Sequence, residues 1–99
     1  MTNKYDILVA FDRPTLRDQE MTFEELLTLK NKANAFQIWI NSNYKGQLDL
    51  TEFINLKELY CRKMSIESID VSGLNKLKYI YNSKNVKRLT HPKNTKIVY

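Results

Sequence analysis

The side chains most often used in catalysis are few in this sequence and do not form a recognisable set. The single histidine, His91, precedes Pro92 in a predicted loop, with no acidic residue nearby in the sequence. Cys61 has the spacing of a buried strand residue, and Asp49 and Asp70 recur at equivalent places, as the turn-capping acids of a repeat would. Catalysis needs a nucleophile with a base, or several metal ligands, so we expect no enzyme activity, no metal and no cofactor.

Aromatic side chains recur at a fixed interval and have the chemistry of a binding surface. Trp39, Tyr60 and Tyr81 occupy equivalent places in three similar segments. Side chains of a strand alternate between its two faces, so rings at equivalent places in parallel strands ~4.8 Å apart would form one outward column. Aromatic and Arg side chains are enriched at the centres of protein interfaces. The predicted partner-binding residues are Trp39, Tyr60, Tyr81, Glu58, Tyr79 and Arg62.

Other interpretations of this column stay open. The rings could merely stabilise the sheet through cross-strand packing, or the amino-terminal third could cover them. Aromatic rings beside a basic segment are also the ingredients of a single-stranded nucleic-acid-binding protein, because bases stack on aromatic faces. Protein binding is the leading hypothesis, and nucleic-acid binding is the alternative.

Basic residues are concentrated towards the carboxyl end of the chain. The net charge is +5, and no acidic residue follows Asp70. The predicted basic patch consists of Lys84, Lys87, Arg88, Lys93 and Lys96. A field of one sign attracts an acidic protein surface or a polyanion, although such a run can also be a solvated edge.

A repeat of about 21 residues explains the spacing of all these side chains. The segment 48–60 aligns with the segment 69–81, and every apolar position coincides except Ile54, which falls on Asn75. A further shift of 20 residues gives three apolar pairs: Ile69 with Leu89, Leu77 with Ile97, and Tyr79 with Tyr99. One copy is too small to bury its apolar face alone. We therefore expect stacked copies, each with a parallel strand on one side and an extended or single-turn 3₁₀ return on the other.

The copies match the pattern L-x-x-L-x-L-x-x-N at three places, with departures at Ala35, Met64 and Asn82. The sequence resembles bacterial-type leucine-rich repeats in three respects. These are the position of the pattern within each copy, a Cys on the strand, and the return sequences Leu-Asp-Leu-Thr and Ile-Asp-Val-Ser. The resemblance implies an α/β leucine-rich-repeat solenoid with a parallel concave sheet. Its repeats would span 35–55, 56–76 and 77–96, followed by a final strand at 97–99. The resemblance does not identify a partner.

The first 34 residues do not follow the repeat and are predicted to cap it with a strand, a turn and a helix. Residues 5–11 have the composition of a strand, and residues 16–21 are expected to return as a second, short strand. Thr22 and Glu25 have capping-box spacing, which predicts a helix over 22–33. Such a unit would cover the open core surface of the first coil.

Composition sets the broad class of the protein. A hydrophobic fraction of 42% with two Gly and two Pro is typical of one ordered globular domain. The longest apolar run, 7–11, is too short to span a bilayer, and a single Cys fits the reducing cytoplasm. The sequence thus predicts a cytoplasmic inhibitor or adaptor of bacterial or phage type that binds an acidic protein partner. The edge at 97–99 could also mediate self-association.

Overall fold

Short β-strands account for most of the regular secondary structure. The computed structural model describes residues 7–11, 18–41, 46–61, 66–81 and 83–98. The strands are β1 (Ile7–Phe11), β2 (Gln19–Met21), β3 (Ala35–Ile40), β4 (Gln47–Asp49), β5 (Glu58–Cys61), β6 (Ser68–Asp70), β7 (Tyr79–Tyr81), β8 (Arg88–Thr90) and β9 (Lys96–Val98). A short helix, α1 (Phe23–Leu27), and a 3₁₀ turn at Lys32–Asn34 precede β3. The fold is mixed α/β, with sheets of mostly parallel strands. Within the described ranges, no helix is long and apolar enough to cross a membrane.

A six-stranded sheet carries the predicted aromatic column. Its strand order is β2-β1-β3-β5-β7-β9, in which β3, β5, β7 and β9 are parallel and β1 is antiparallel to both of its neighbours. Ile38 of β3 pairs with Leu59 of β5, which pairs with Ile80 of β7. Each of these steps equals the predicted 21-residue interval, so equivalent residues of successive segments lie side by side.

A second sheet of three parallel strands, in the order β4-β6-β8, is formed by the return segments. Leu48 pairs with Ile69, and Ile69 pairs with Leu89, as the sequence alignment predicts. The returns are thus extended. The six core residues that we expected from the first two returns are at most 1% exposed: Leu48, Leu50, Phe53, Ile69, Val71 and Leu74. They join the buried side chains of the larger sheet in one hydrophobic cluster.

Two equivalent turns follow β4 and β6. The Asp49 carboxylate accepts hydrogen bonds from the Thr51 backbone N–H at 2.9 Å and the Thr51 hydroxyl at 2.6 Å. Asp70 accepts the same pair of bonds from Ser72, at 2.9 and 2.7 Å. Both bonds lower the pKa of Asp49, and the bond from the Thr51 hydroxyl has the larger effect. These acids therefore cap turns, as the sequence predicts.

The helix is shorter than the predicted 22–33. The capping box is present, since the Thr22 hydroxyl accepts from the Glu25 N–H at 3.2 Å and the Glu25 carboxylate accepts from the Thr22 N–H at 3.1 Å. However, α1 ends after Leu27. The Thr28 N–H still makes its helical bond to the Glu24 carbonyl at 3.2 Å, but the Leu29 N–H donates to the Leu26 carbonyl at 3.3 Å and not to that of Glu25. The Glu25 carbonyl accepts from the Thr28 hydroxyl at 3.3 Å. The amino-terminal segment extends the sheet with two strands and does not form an evident helical cap.

The last strand also differs from the prediction. We expected Ile97 to align with Leu77, but Ile97 pairs with Ile80, and Tyr79 pairs with Lys96. The chain re-enters the sheet early because the turn at Pro92 is tight, with the Thr95 N–H bonded to the Pro92 carbonyl at 3.2 Å. The buried Thr95 hydroxyl then donates to the Leu77 carbonyl at 2.9 Å. The strand is therefore Lys96–Val98, and Tyr99 lies outside the described residues.

Candidate protein-interaction surface

Trp39, Tyr60 and Tyr81 form a continuous stack across β3, β5 and β7, which we name the aromatic row. Their backbones are in register. The rings of Trp39 and Tyr60 have centroids 4.0 Å apart and an interplanar angle of 14°, and those of Tyr60 and Tyr81 are 4.6 Å apart at 8°. Neighbours along each strand, such as Ile38 and Leu59, are fully buried, so alternation places the half-buried rings on the outer face. The stack is the column that the sequence predicts.

A second row beside the first contains polar groups. Gln37, Glu58 and Tyr79 are paired in register on the same three strands. The Glu58 carboxylate accepts hydrogen bonds from the Gln37 amide and, at 3.1 Å, from the Tyr60 hydroxyl. The Tyr79 ring lies 5.6 Å from that of Tyr81. The two rows are thus connected by hydrogen bonding and by ring contact, which holds their side chains in fixed positions.

The electrostatics of this face keep the phenols protonated. Partial burial raises the pKa of Tyr60, and the hydrogen bond and negative charge of Glu58 raise it further. The pKa of Tyr81 is raised by partial burial, then by Glu58 and Tyr79. At neutral pH both hydroxyls are therefore protonated, and that of Tyr60 donates its hydrogen bond to Glu58. On the opposite face, burial raises the pKa of Cys61 to about 12, as expected of an inert core thiol.

The described part of the amino-terminal third widens this face and does not cover it. On β1, Leu8 pairs with Trp39, and Glu20 of β2 pairs with Leu8. The helix α1 directs Phe23 and Leu26 into the hydrophobic core. At the other end, β9 places Lys96 beside Tyr79 and Val98 beside Tyr81. The half-buried Leu8 also belongs to this surface, and the sequence analysis did not predict it. The repeat pattern does not indicate that β1 pairs antiparallel with β3.

The predicted basic residues do not form one patch beside the aromatic row. All five are exposed. Lys96 lies on β9 of the six-stranded sheet, whereas Arg88 lies on β8 of the second sheet. The amine of Lys87 and the guanidinium of Arg88 approach the Glu67 carboxylate at 3.8 and 3.9 Å. Lys84 and Lys93 lie in the segments that flank β8. The predicted binding residue Arg62 lies outside the described residues.

Two other lysines border the aromatic surface together with Lys96. Lys57 and Lys78 are exposed and immediately precede Glu58 and Tyr79. The Lys78 N–H donates to the Lys57 carbonyl at 2.8 Å, and the Lys96 N–H donates to the Lys78 carbonyl at 2.9 Å. We name Lys57, Lys78 and Lys96 the lysine row. Lys57 and Lys78 could have been found from the sequence, because they are separated by the same 21-residue interval that relates the rings.

One further surface feature has weaker binding chemistry. A shallow groove on the outer face of the second sheet is lined by small and polar side chains, including Gln47, Ser68 and Thr90. Its acids, Asp49 and Asp70, are already engaged in their turns. Among the described residues, no group of three or more His, Cys, Asp or Glu side chains is placed to hold a metal ion.

Comparison with known proteins adds no functional assignment. No family model, curated protein or solved structure matches the chain.

Proposed function

We propose that this chain is a protein-binding module whose contact surface is the aromatic row together with Glu58 and Tyr79. The observation that carries the proposal is the stack of Trp39, Tyr60 and Tyr81 on an outer sheet face. Such rings combine a large apolar area with polar groups at their edges, which is the chemistry of interface hot spots.

Preorganisation favours binding at this face. A side chain that is already held in place loses little conformational entropy when a partner docks on it. Glu58 is bound by both Gln37 and Tyr60, and Tyr60 is packed between two other rings. A partner would therefore meet a rigid surface with few rotamers left to fix.

We also propose that the scaffold is a short leucine-rich-repeat solenoid. Three observations support this: the 21-residue register of β3, β5 and β7, the second parallel sheet formed by the returns, and the matching turns at Asp49 and Asp70. In this scheme β1 and β2 cover the first edge of the larger sheet. The rings would then lie on the concave side, where one row can contact one extended partner surface.

Single-stranded nucleic-acid binding is less well supported. Base stacking needs free ring faces. The face-to-face packing of the three rings leaves Tyr60 with no free face, and the Tyr79 ring also stacks against Tyr81 at 5.6 Å. The carboxylate of Glu58 beside the stack would also repel phosphate groups. We therefore propose a protein partner, which the module would inhibit or recruit in the cytoplasm by occupying part of its surface.

Affinity capture from lysates of the source cells tests this proposal. The bait proteins are the wild type, a Trp39→Ala/Tyr60→Ala variant and a Gln47→Ala/Ser68→Ala control on the outer face of the second sheet. Proteins captured by the wild type should also be captured by the control and should be lost with the aromatic variant, provided that circular dichroism shows all three to be folded. Identical capture by all three baits would contradict a role for the aromatic row.

A further inference from the structure

The lysine row places three positive charges at the starts of consecutive parallel strands, with Lys57 and Lys78 immediately before β5 and β7 and Lys96 as the first residue of β9. Direct main-chain hydrogen bonds connect Lys57 to Lys78 and Lys78 to Lys96. All three side chains are exposed, and none forms an ion pair within the described part of the chain. By contrast, the Lys32 amine lies 2.7 Å from the Glu52 carboxylate.

Like charges on neighbouring strands destabilise a sheet. The spacing between adjacent strands is ~4.8 Å, so the repulsion is appreciable at low ionic strength. An anionic partner would remove this repulsion when it docks. We propose that the lysine row binds the carboxylates of an acidic, extended protein segment whose neighbouring apolar side chains contact the aromatic row. This inference rests on the proposed function and specifies the chemistry of the partner.

The position of the lysines supports one continuous site. Lys57 and Lys78 precede Glu58 and Tyr79 in the chain, and Lys96 pairs with Tyr79 across β7 and β9. The lysine row therefore lies along one margin of the aromatic surface. Three strands span ~10 Å, which is about three residues of an extended chain. A short cluster of acidic residues in the partner is enough to face all three lysines.

A protein segment fits this surface better than a nucleic acid or a second copy of the chain. Phosphates repeat along every nucleotide and would bring negative charge against Glu58, whereas a peptide can place its acids only over the lysines. A second copy that paired along the β9 edge would bring Lys96 towards another lysine row. Lysines on an edge strand oppose such pairing.

Selection from short random peptides displayed on phage tests the inference. The immobilised proteins are the wild type, a Lys57→Glu/Lys78→Glu variant and a Lys84→Glu/Lys87→Glu control with the same change in net charge. The control lysines follow β7, whereas Lys57 and Lys78 precede their strands. We expect the wild type and the control to enrich peptides that combine Asp or Glu with aromatic or aliphatic residues. The lysine-row variant should lose the acidic preference.

Affinity measurements on an enriched peptide then separate the two proposals. Lys57→Glu/Lys78→Glu should weaken its binding about tenfold, and the remaining affinity should depend less on NaCl concentration than that of the wild type. Acid-free peptides that bind all three proteins equally would overturn the lysine-row inference and leave the proposed function standing. Failure to enrich any peptide, or enrichment that survives Trp39→Ala/Tyr60→Ala, would count against the proposed function itself. Tighter binding of oligo(dT) than of any acidic peptide would overturn the choice of a protein segment.

Discussion

The indole of Trp39 and the phenol of Tyr60 lie parallel, with centroids 4.0 Å apart and an angle of 14° between their planes. The two residues are in register on β3 and β5. The same relationship repeats between Tyr60 and Tyr81. The scaffold thus converts a sequence interval into a stack of rings.

The contact between Trp39 and Tyr60 is expected to contribute to stability beyond simple burial. Stacked aromatic pairs are coupled by about 0.5–1.5 kcal/mol. Urea unfolding of the wild type, Trp39→Ala, Tyr60→Ala and the double variant measures this coupling as a double-mutant cycle. We expect the sum of the losses in unfolding free energy of the two single variants to exceed the loss in the double variant. Strictly additive losses would mean that the rings are neighbours without mutual stabilisation.

The ionisation of Tyr60 should report on its environment. Partial burial is the largest single cause that raises its pKa above the ordinary value of 10.0, and the hydrogen bond and charge of Glu58 raise it further. Glu58→Gln should therefore lower the pKa of Tyr60 only part of the way, as measured by phenolate absorbance, with Tyr60→Phe identifying the relevant transition. The raised pKa favours the folded, protonated form, so its stabilising effect is complete below the unfolded value and is lost as pH rises through the folded value. An identical titration curve in Glu58→Gln would contradict the contact between the two side chains.

The turn at Asp49 should make stability depend on acid pH. Its folded pKa lies below 3.8 because Thr51 donates two hydrogen bonds to the carboxylate. The stabilisation is therefore complete above the unfolded pKa and is lost as pH falls through the folded pKa. Asp49→Ala should destabilise the protein by about 1 kcal/mol near neutral pH. The comparison is urea unfolding at neutral and acid pH.

A matched control isolates this effect from the general influence of acid. Asp18 is exposed and has no hydrogen bond among the described residues. The difference in stability between the wild type and Asp49→Ala should shrink on acidification, whereas that between the wild type and Asp18→Ala should stay near zero. A difference for Asp49→Ala that is constant with pH would show that the Thr51 bonds do not favour the ionised carboxylate.

The regular part of the fold could be predicted because it follows one interval. Core positions such as Leu59 and Ile80, and the ring of Tyr81, are fixed once the 21-residue shift is found. The register of β9 could not be predicted, since it depends on a tertiary hydrogen bond from Thr95 to the Leu77 carbonyl. The helix end likewise coincides with a bond from the Thr28 hydroxyl to the Glu25 carbonyl. Both features involve side-chain hydroxyls that bond to backbone carbonyls, and the repeat pattern contains no information about these bonds.

Sequence reasoning predicted the aromatic half of the candidate site but only Lys96 of the lysine row. Counting charges along the chain drew attention to Arg88, which the structure places on the other sheet. Lys57 and Lys78 lie far apart in the sequence and become neighbours only through the pairing of β5 with β7. Charge must therefore be compared across strands before a basic patch is assigned to a repeat scaffold.

The repeat interpretation makes a prediction about deletions. Removing residues 56–76 takes out one complete copy and brings β3 next to β7 in the existing register. We expect a folded protein with a cooperative transition at a lower urea concentration, because each coil contacts only its neighbours. Removing 56–72 instead breaks the register and should give an unfolded chain by circular dichroism. If both deletions unfold the protein, the coils are not equivalent units.

The most direct test of the proposed function uses the single tryptophan of the chain, Trp39. Protein labelled with 5-fluorotryptophan should give one fluorine NMR signal. Addition of an unlabelled captured partner should shift or broaden that signal in the wild type and in Gln47→Ala/Ser68→Ala alike. A complex that forms at full affinity while the Trp39 signal remains unchanged would contradict the claim that the aromatic row is the contact surface.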